Sequence, residues 1–536
     1  MSDETPPPVT VSVDVGIVGA GFGGVIALNT LRKQGFSVKI VEAAPDLGGV
    51  WHFNKYPGCR VDSKVPFYQL NSPELWKDFT MSEKYPGRDE ICKYFAHMDK
   101  KLDLRKDALF NQPVNKVSYD NATKIWTIQS EHGLQVKCRY VILATGTTHK
   151  KHIPQFPGLN NYKGQLIHPS RWPDDFDATG KKVAIIGQGS TGVQIVQELA
   201  KEDCKLTIFV RNPPITFRMG QQQTSPEQVE AQKPTFFDQY NGRKYAKAEP
   251  HYFTQDTDEQ RQQRLQEAWD GYSFDFLAKM YTDTVTNKEA NKFTYDFWAS
   301  KVRPSISDPI KRDILAPLEM PYWFFTKRPI IEQDYYEMVN QSNVDLVDLR
   351  KTKLESFTEK SIVIKDGDES QEREFDIIIV STGYDAITGG LYDLGLHDKH
   401  GTPLKEKWAD GIITHLGMMI PDMPNAFVLY GPQAPTSFTD GPVFLELEVE
   451  YIEELLKRMK ADGYTSVEAT QAASEAWKAK CQEGFDATLF KETSSWWTGA
   501  NIPGKRVEPL LWYTGQYSWL QLYRESLKSW DDYNVE

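Results

Sequence analysis

Apolar positions along the chain fall into a unit that occurs twice. Near the start, VSVDVGIVGA has the pattern of a buried strand and runs into a glycine-rich turn. The helix-like VIALNTLRKQG and a second apolar run, SVKIVEAA, follow. Around residue 182 the same order returns: the strand KKVAIIG, the turn GQGSTG, the helix VQIVQELA and the strand KLTIFVRN. Two further strand-like runs, VILATG and IIIVSTG, end on small residues, Ala144 to Gly146 and Ser381 to Gly383. Small residues at a strand exit let the chain pass close to a ligand or leave a domain. This alternation of strand and helix predicts parallel sheets covered by helices.

Between the second unit and residue 325 the pattern changes. TDEQRQQRLQEAWD and NKEANKFTYDFWASKV carry apolar residues every three or four positions, which predicts an inserted helical subdomain. FLELEVEYIEELLKRMKADG reads as an amphipathic helix ending at Gly463. By contrast YKGQLIHPSRWPDD, residues 162 to 175, alternates poorly, and Pro169 and Pro173 exclude a helix. It reads as a polar linker in which Arg171, Asp174 and Asp175 face water. The expected architecture is α/β, with two Rossmann-like dinucleotide-binding domains. Residues 1–147 and 385–536 form the first, residues 148–217 (with the linker) and 326–384 the second, and residues 218–325 the helical insertion.

The chemistry of the repeated unit is in its turns and strand ends. Gly19, Gly21 and Gly24 allow a tight turn and close approach of a pyrophosphate to a helix N-terminus, and Gly187, Gly189 and Gly192 repeat the spacing. Glu42 ends the second strand of the first unit, where a carboxylate accepts hydrogen bonds from a ribose diol. Arg211 takes that place in the second unit; a guanidinium there pairs with a 2′-phosphate that a carboxylate would repel. The first site is therefore expected to hold FAD and the second NADPH, which feeds the flavin electrons.

Composition narrows the rest. The 536 residues carry a net charge of −12, the wrong sign for a nucleic-acid partner. No run approaches the roughly 20 apolar residues of a membrane span. The acidic, proline-rich opening MSDETPPPVT is unlike a targeting peptide, so a cytoplasmic location is expected. The five cysteines include no C-x-x-C, which argues against a zinc site and against a disulfide reductase.

Two longer patterns specify the class. GGVWHFNKYPGCRVD places Gly49, Trp51, Tyr56, Pro57, Gly58 and Asp62 in G-x-W-x-x-x-x-[FY]-P-G-x-x-x-D. The linker matches F-x-G-x-x-x-H-x-x-x-W-[PD] through Gly164, His168, Trp172 and Pro173, with Tyr162 in place of Phe. With SRWPDD, GSTGVQ, KRP, TGYDA and SWWTGANIPGK in the same order, the chain resembles the type I Baeyer–Villiger monooxygenases along nearly its whole length. That resemblance implies an NADPH-dependent flavoprotein in which a C4a-peroxyflavin attacks a ketone carbonyl, giving an ester or lactone. Small-molecule ketone and dioxygen are the expected partners, on a monomer or weak homo-oligomer.

By the same resemblance Arg328 is the catalytic cation and Asp62 the carboxylate beside it. FAD contacts are implied for Phe22, Val50, Trp51 and Tyr68, besides Gly49 and Asp62. NADP contacts are implied for Arg60, Val61 and Asp62, and for Gln188, Ser190, Thr191, Val193 and Gln194 around the second turn. Asn212, Lys327 and Trp496 complete the set, with Lys327 on the 2′-phosphate. Gly164, His168 and Trp172 support domain motion, and His168 is not expected to act as acid or base. Flavin-containing and N-hydroxylating monooxygenases share both turns but lack Trp172-Pro173 and Arg328. An NADP-binding sensor that kept the folds and lost the chemistry would be expected to lack Arg328 or Asp62, and both are present. The stretch GPQAPTSFTDGP, with small Ala434, Thr436 and Ser437, is the place where room for a linear or bulky ketone is expected.

Overall fold

In the computed structural model, which describes residues 9–536, each repeated unit builds its own sheet around a parallel core, the first with an antiparallel extension through Ile125–Ser130 and Val114–Asp120. The opening residues read as a proline-rich tail lie mostly outside the described chain. The first sheet contains β1 (Val9–Val18), β2 (Val38–Val41), β3 (Ala108–Leu109), β4 (Val114–Asp120), β5 (Ile125–Ser130) and β6 (Leu134–Leu143), in the order β3-β2-β1-β6-β5-β4. β1 runs parallel to both neighbours, with Ile17 opposite Ile40 on one side and Ile142 on the other. These three side chains are fully or almost fully buried, as expected of central strands covered on both faces. The strand order reverses at β1, so the turn leaving it opens into a crevice between neighbouring connections.

The second sheet repeats that plan with β7 (Gln165–Ile167), β8 (Lys182–Ile186) and β9 (Lys205–Val210). After β9 come a ladder strand, β10 (Thr216–Arg218), and, beyond the helices, its partner β11 (Ile330–Glu332). Then follow β12 (Val344–Asp348), an antiparallel trio β13 (Lys353–Phe357), β14 (Ser361–Asp366) and β15 (Glu369–Glu374), and β16 (Ile377–Val380). The five-stranded order is β12-β9-β8-β16-β7. β17 (Ala426–Val428) then joins the first sheet, parallel to β6.

Both expected insertion helices are present. The helix Asp258–Asp270 starts on a Thr257–Gln260 capping box, and Lys288–Val302 starts where the Asn287 side chain accepts two backbone amides. The helical segment leaves and re-enters through β10 and β11, which lie side by side with Phe217 opposite Ile331. That ladder fixes where Lys327 and Arg328, just before β11, emerge. The helix Gly441–Asp462 ends at Gly463, whose φ is +80°. No helix among the described residues is long and apolar enough to cross a membrane.

The stretch 162–175 departs from its reading as a linker. Gln165–Ile167 is an edge strand, paired with β16 through Ile167 opposite Ile379. Only Ile167 of the three is buried, and three residues on a sheet edge are too few to print an alternation. Gly164 is there because a Cβ would meet the Tyr162 hydroxyl at 2.3 Å. Arg171, Asp174 and Asp175 are exposed, as expected, yet two of them also make contacts across the surface. The Arg171 guanidinium lies 4.7 Å from the Phe53 ring centroid, and Asp174 pairs with Lys55 at 2.9 Å. Both contacts reach the other dinucleotide unit. The hairpins at β4–β5 and β13–β15 were not predicted; their polar, half-exposed strands carry weak apolar patterns.

Candidate active site

The two glycine turns face one continuous cavity of about 1190 Å³. Gly19 has a φ of +106°, and a Cβ there would sit 2.5 Å from the Ala144 carbonyl oxygen. Gly187 has a φ of +105°, and a Cβ would sit 2.3 Å from the Ser381 carbonyl oxygen. No other side chain fits either place, so bare backbone faces the crevice, the arrangement a pyrophosphate requires. Gly21 and Phe22 line the cavity on one side; Gln188, Gly189, Ser190 and Thr191 line it on the other. Gly24 and Gly192 lie behind the wall, in the first turn of each helix.

The strand ends differ in sign as the sequence does. Glu42 directly follows β2, and its buried carboxylate accepts from the amides of Ala20 (2.6 Å) and Ala44 (2.7 Å). Burial pushes this carboxyl up, and the amides pull it back toward the ionised form. Arg211 directly follows β9 on the opposite wall, with Asn212, Trp496 and Lys327. Burial, and then the Arg211 guanidinium, bring the Lys327 ammonium down to about 8. Lys327 also donates to the Ser494 carbonyl and lies 5.2 Å from the Tyr322 ring centroid. Two cations held this close are short of a counter-ion, and a phosphate dianion would supply it.

Arg328 turns the other way. Its Nη2 donates to Asp62 Oδ2 at 2.5 Å and its Nη1 to the Ser437 carbonyl at 3.3 Å. Burial works against the charge, but the Asp62 carboxylate outweighs it and holds the guanidinium above its ordinary value. The cation therefore stays charged at every physiological pH. Beside it, the Tyr68 hydroxyl accepts from Trp51 Nε1 at 3.2 Å, and the two rings meet edge to face at 5.6 Å. Burial first, then the Asp62 charge, push the Tyr68 hydroxyl up, so it remains a neutral donor. Gly49 and Val50 complete this side of the wall.

Other residues of the long motifs join the two units rather than line the cavity. The Tyr56 hydroxyl donates to Gln194 Oε1 at 3.0 Å, and Gln194 Nε2 donates to the Arg60 carbonyl at 3.2 Å. Val193 and Val61 are buried, and the Arg60 guanidinium is taken by Glu83 (3.0 Å) and the Tyr85 carbonyl (3.1 Å). His168 lines the cavity, yet both ring nitrogens are engaged: Nε2 donates to the Gly383 carbonyl at 3.1 Å and Nδ1 accepts from Ser170 Oγ at 2.9 Å. Burial pulls its pKa down, so it is a neutral clip on the exit loop of β16. Trp172 is buried against Phe176, with ring centroids 4.6 Å apart.

The cavity also takes residues that sequence reasoning missed, among them Asn54, Arg171 and Tyr430. Asn54 and Arg171 sit inside the two long motifs, and that position was the available signal. Tyr430 carries none, because it reaches the wall only when β17 returns to the first sheet. Of the small residues expected to open the ketone pocket, only Ser437 lines the cavity. Ala434 and Thr436 are fully buried, and Ala434 packs on the Gly417 backbone, so the expectation of room there is corrected to Ser437 alone.

Residues 12–228 match the flavin-binding monooxygenase-like family. The FAD-binding monooxygenase VdtE of Byssochlamys spectabilis is 38% identical, over 94% of this chain and 90% of that one. A cyclopentanone 1,2-monooxygenase of Comamonas sp. is 37% identical, over 97% of this chain and 95% of its own length. Among solved structures, a cyclohexanone monooxygenase of Rhodococcus sp. bound to NADP+ superposes with a TM-score of 0.92 at 30% identity, covering 99% of both chains. With both nucleotide cradles and the charged pair between them in place, the chain belongs to the Baeyer–Villiger monooxygenase family.

Proposed function

We propose that Arg328 and Asp62 are the catalytic pair of this NADPH- and FAD-dependent monooxygenase, which inserts one oxygen atom next to a ketone carbonyl to give an ester or lactone. The observation that carries the assignment is the Arg328–Asp62 ion pair on the wall of the cavity that both glycine turns face. Gly19, Gly21, Glu42, Trp51 and Tyr68 hold FAD; Gly187, Gly189, Arg211 and Lys327 hold NADPH. Together the two nucleotides supply the reducing equivalents and the activated dioxygen. The protein's own contribution is electrostatic. Arg328 cannot lose its proton, so it presents a fixed positive charge where negative charge builds on the ketone oxygen. Asp62 keeps the fork aimed, and the half-buried setting limits screening by water. Residues 1–147 and 385–536 serve FAD, and 148–217 and 326–384 serve NADPH, with 218–325 inserted between them. A cytoplasmic enzyme acting on a small ketone, as a monomer or weak homo-oligomer, fits these assignments. The test is to supply purified protein with NADPH and a panel of cyclic, linear and aryl ketones and to follow products by mass spectrometry. A product one oxygen heavier is expected; NADPH consumption with no oxygenated ketone in the panel overturns the reading.

Lys327 sets a pH dependence. Its ammonium in the free protein is pulled down to about 8, so it is protonated below that pH and neutral above it. The 2′-phosphate needs the charged form. The KM for NADPH is expected to rise as pH increases through about 8, while the KM for NADH, which lacks that phosphate, stays flat. Steady-state KM values for both coenzymes across that pH check it, and Lys327→Arg should move the rise out of range.

A further inference from the structure

Glu448 has no place in the site described so far. It lies on the helix Gly441–Asp462 with its side chain fully buried and, among the described residues, no cation beside it. One oxygen, Oε2, accepts from the Tyr430 amide at 2.9 Å, and Oε1 is buried without a hydrogen-bond partner. Burial drives this carboxyl strongly toward its neutral form, which the isolated Tyr430 amide only partly opposes. A buried acid with one hydrogen bond is costly to keep, and apolar packing would be the cheaper choice for a purely structural helix face.

Its single partner is not an ordinary position. Tyr430 lines the cavity with a φ of +57°, a left-handed conformation that a bulky residue adopts only when its surroundings impose it. Its hydroxyl donates to the Thr436 carbonyl at 2.8 Å, spanning the loop 430–436 from inside. The next residue, Ser437, gives its carbonyl to Arg328 Nη1, and the other arm of that guanidinium holds Asp62. A continuous set of contacts thus runs from a buried acid in the core to the catalytic cation.

We propose that Glu448 is a positioning residue: by anchoring the Tyr430 amide it sets the 430–437 loop, whose Ser437 carbonyl fixes one arm of Arg328. Arg328 held by Asp62 alone pivots on one contact; held by both, its plane is defined. The inference rests on Arg328 acting as the function above assigns it.

The test uses the full-length holoenzyme and three variants: Tyr430→Phe, Glu448→Gln and Glu448→Leu. Two quantities are read: the anaerobic rate of flavin reduction by NADPH, and the fraction of consumed NADPH that appears as oxygenated ketone rather than hydrogen peroxide. Tyr430→Phe removes only the hydroxyl contact and should lower that fraction about fivefold, the worth of one ordinary hydrogen bond, with reduction rate and Tm close to those of the parent. Glu448→Leu should lower it at least as far, and Glu448→Gln, whose side-chain carbonyl still accepts from the amide, should restore most of it. In an Arg328→Lys background, where the second arm is missing, Tyr430→Phe should add little. The proposal is overturned if Tyr430→Phe and Glu448→Leu leave the product fraction unchanged. It is equally overturned if reduction and product fall together, the mark of general damage; should the leucine variant fail to fold, Tyr430→Phe and Glu448→Gln decide alone. If the parent enzyme oxygenates no ketone, the functional reading has failed instead.

Discussion

Arg328→Ala is expected to abolish ester or lactone formation while NADPH is still consumed. Reducing a flavin moves a hydride between two nucleotides and asks nothing of a cation placed for the ketone oxygen. Oxygen insertion does ask for it, because negative charge must build on an oxygen away from bulk water. Removing one fixed donor at such a place costs about 10²–10³ in rate, and removing a full charge from a partly buried site costs at least that. The variant also leaves Asp62, whose side chain is about a quarter exposed, without its counter-ion. The carboxylate would then repel the charge that Arg328 stabilised, so the residual product should fall below the detection limit of a gas-chromatographic assay. Hydrogen peroxide should account for the NADPH oxidised. Arg328→Lys keeps a charge but not two arms aimed at Asp62 and Ser437, and an intermediate rate is expected. Normal ester yield from Arg328→Ala would remove it from the chemistry altogether.

Arg211→Glu should reverse coenzyme preference. The parent guanidinium at the end of β9 faces the cavity with Lys327, and charge-assisted bonds of this kind are the strong ones. Losing them and adding a carboxylate that repels the 2′-phosphate should raise the KM for NADPH about 100-fold. NADH, with a free ribose diol, should be bound as well as before or better, as Glu42 suggests for the opposite site. The ratio of kcat/KM for the two coenzymes is the measurement. A ratio unchanged by the substitution would place the 2′-phosphate elsewhere.

Much of the site was legible because its parts are local. A strand, a turn that only glycine can make and a helix follow one another within about 20 residues, so the requirement at Gly19 or Gly187 is written where it acts. Glu42 and Arg211 are readable for the same reason, since each follows its strand directly. The edge strand Gln165–Ile167 was not readable: three residues, two of them exposed, leave no period to detect. The contact of the exposed Arg171 with Phe53 was not readable either, because Phe53 lies in the other unit.

What the sequence determined by itself is therefore the plan of two nucleotide cradles of opposite charge preference, and through its long motifs the family. The tertiary structure decided which groups meet. Arg328 and Asp62 are 266 positions apart and touch only because the β10–β11 ladder returns the chain to the cavity wall. It also sorted the motif residues into those facing the cavity, such as Trp51, and those joining the units, such as Tyr56 and Gln194. Glu448 reads in the sequence as one more acid on an amphipathic helix; only packing shows it buried under Tyr430. The physical reason is common to all three. Backbone conformation is imposed by neighbours in the chain, whereas the partner of a charge is chosen by folding, which brings distant groups together and removes the water that would otherwise serve either of them.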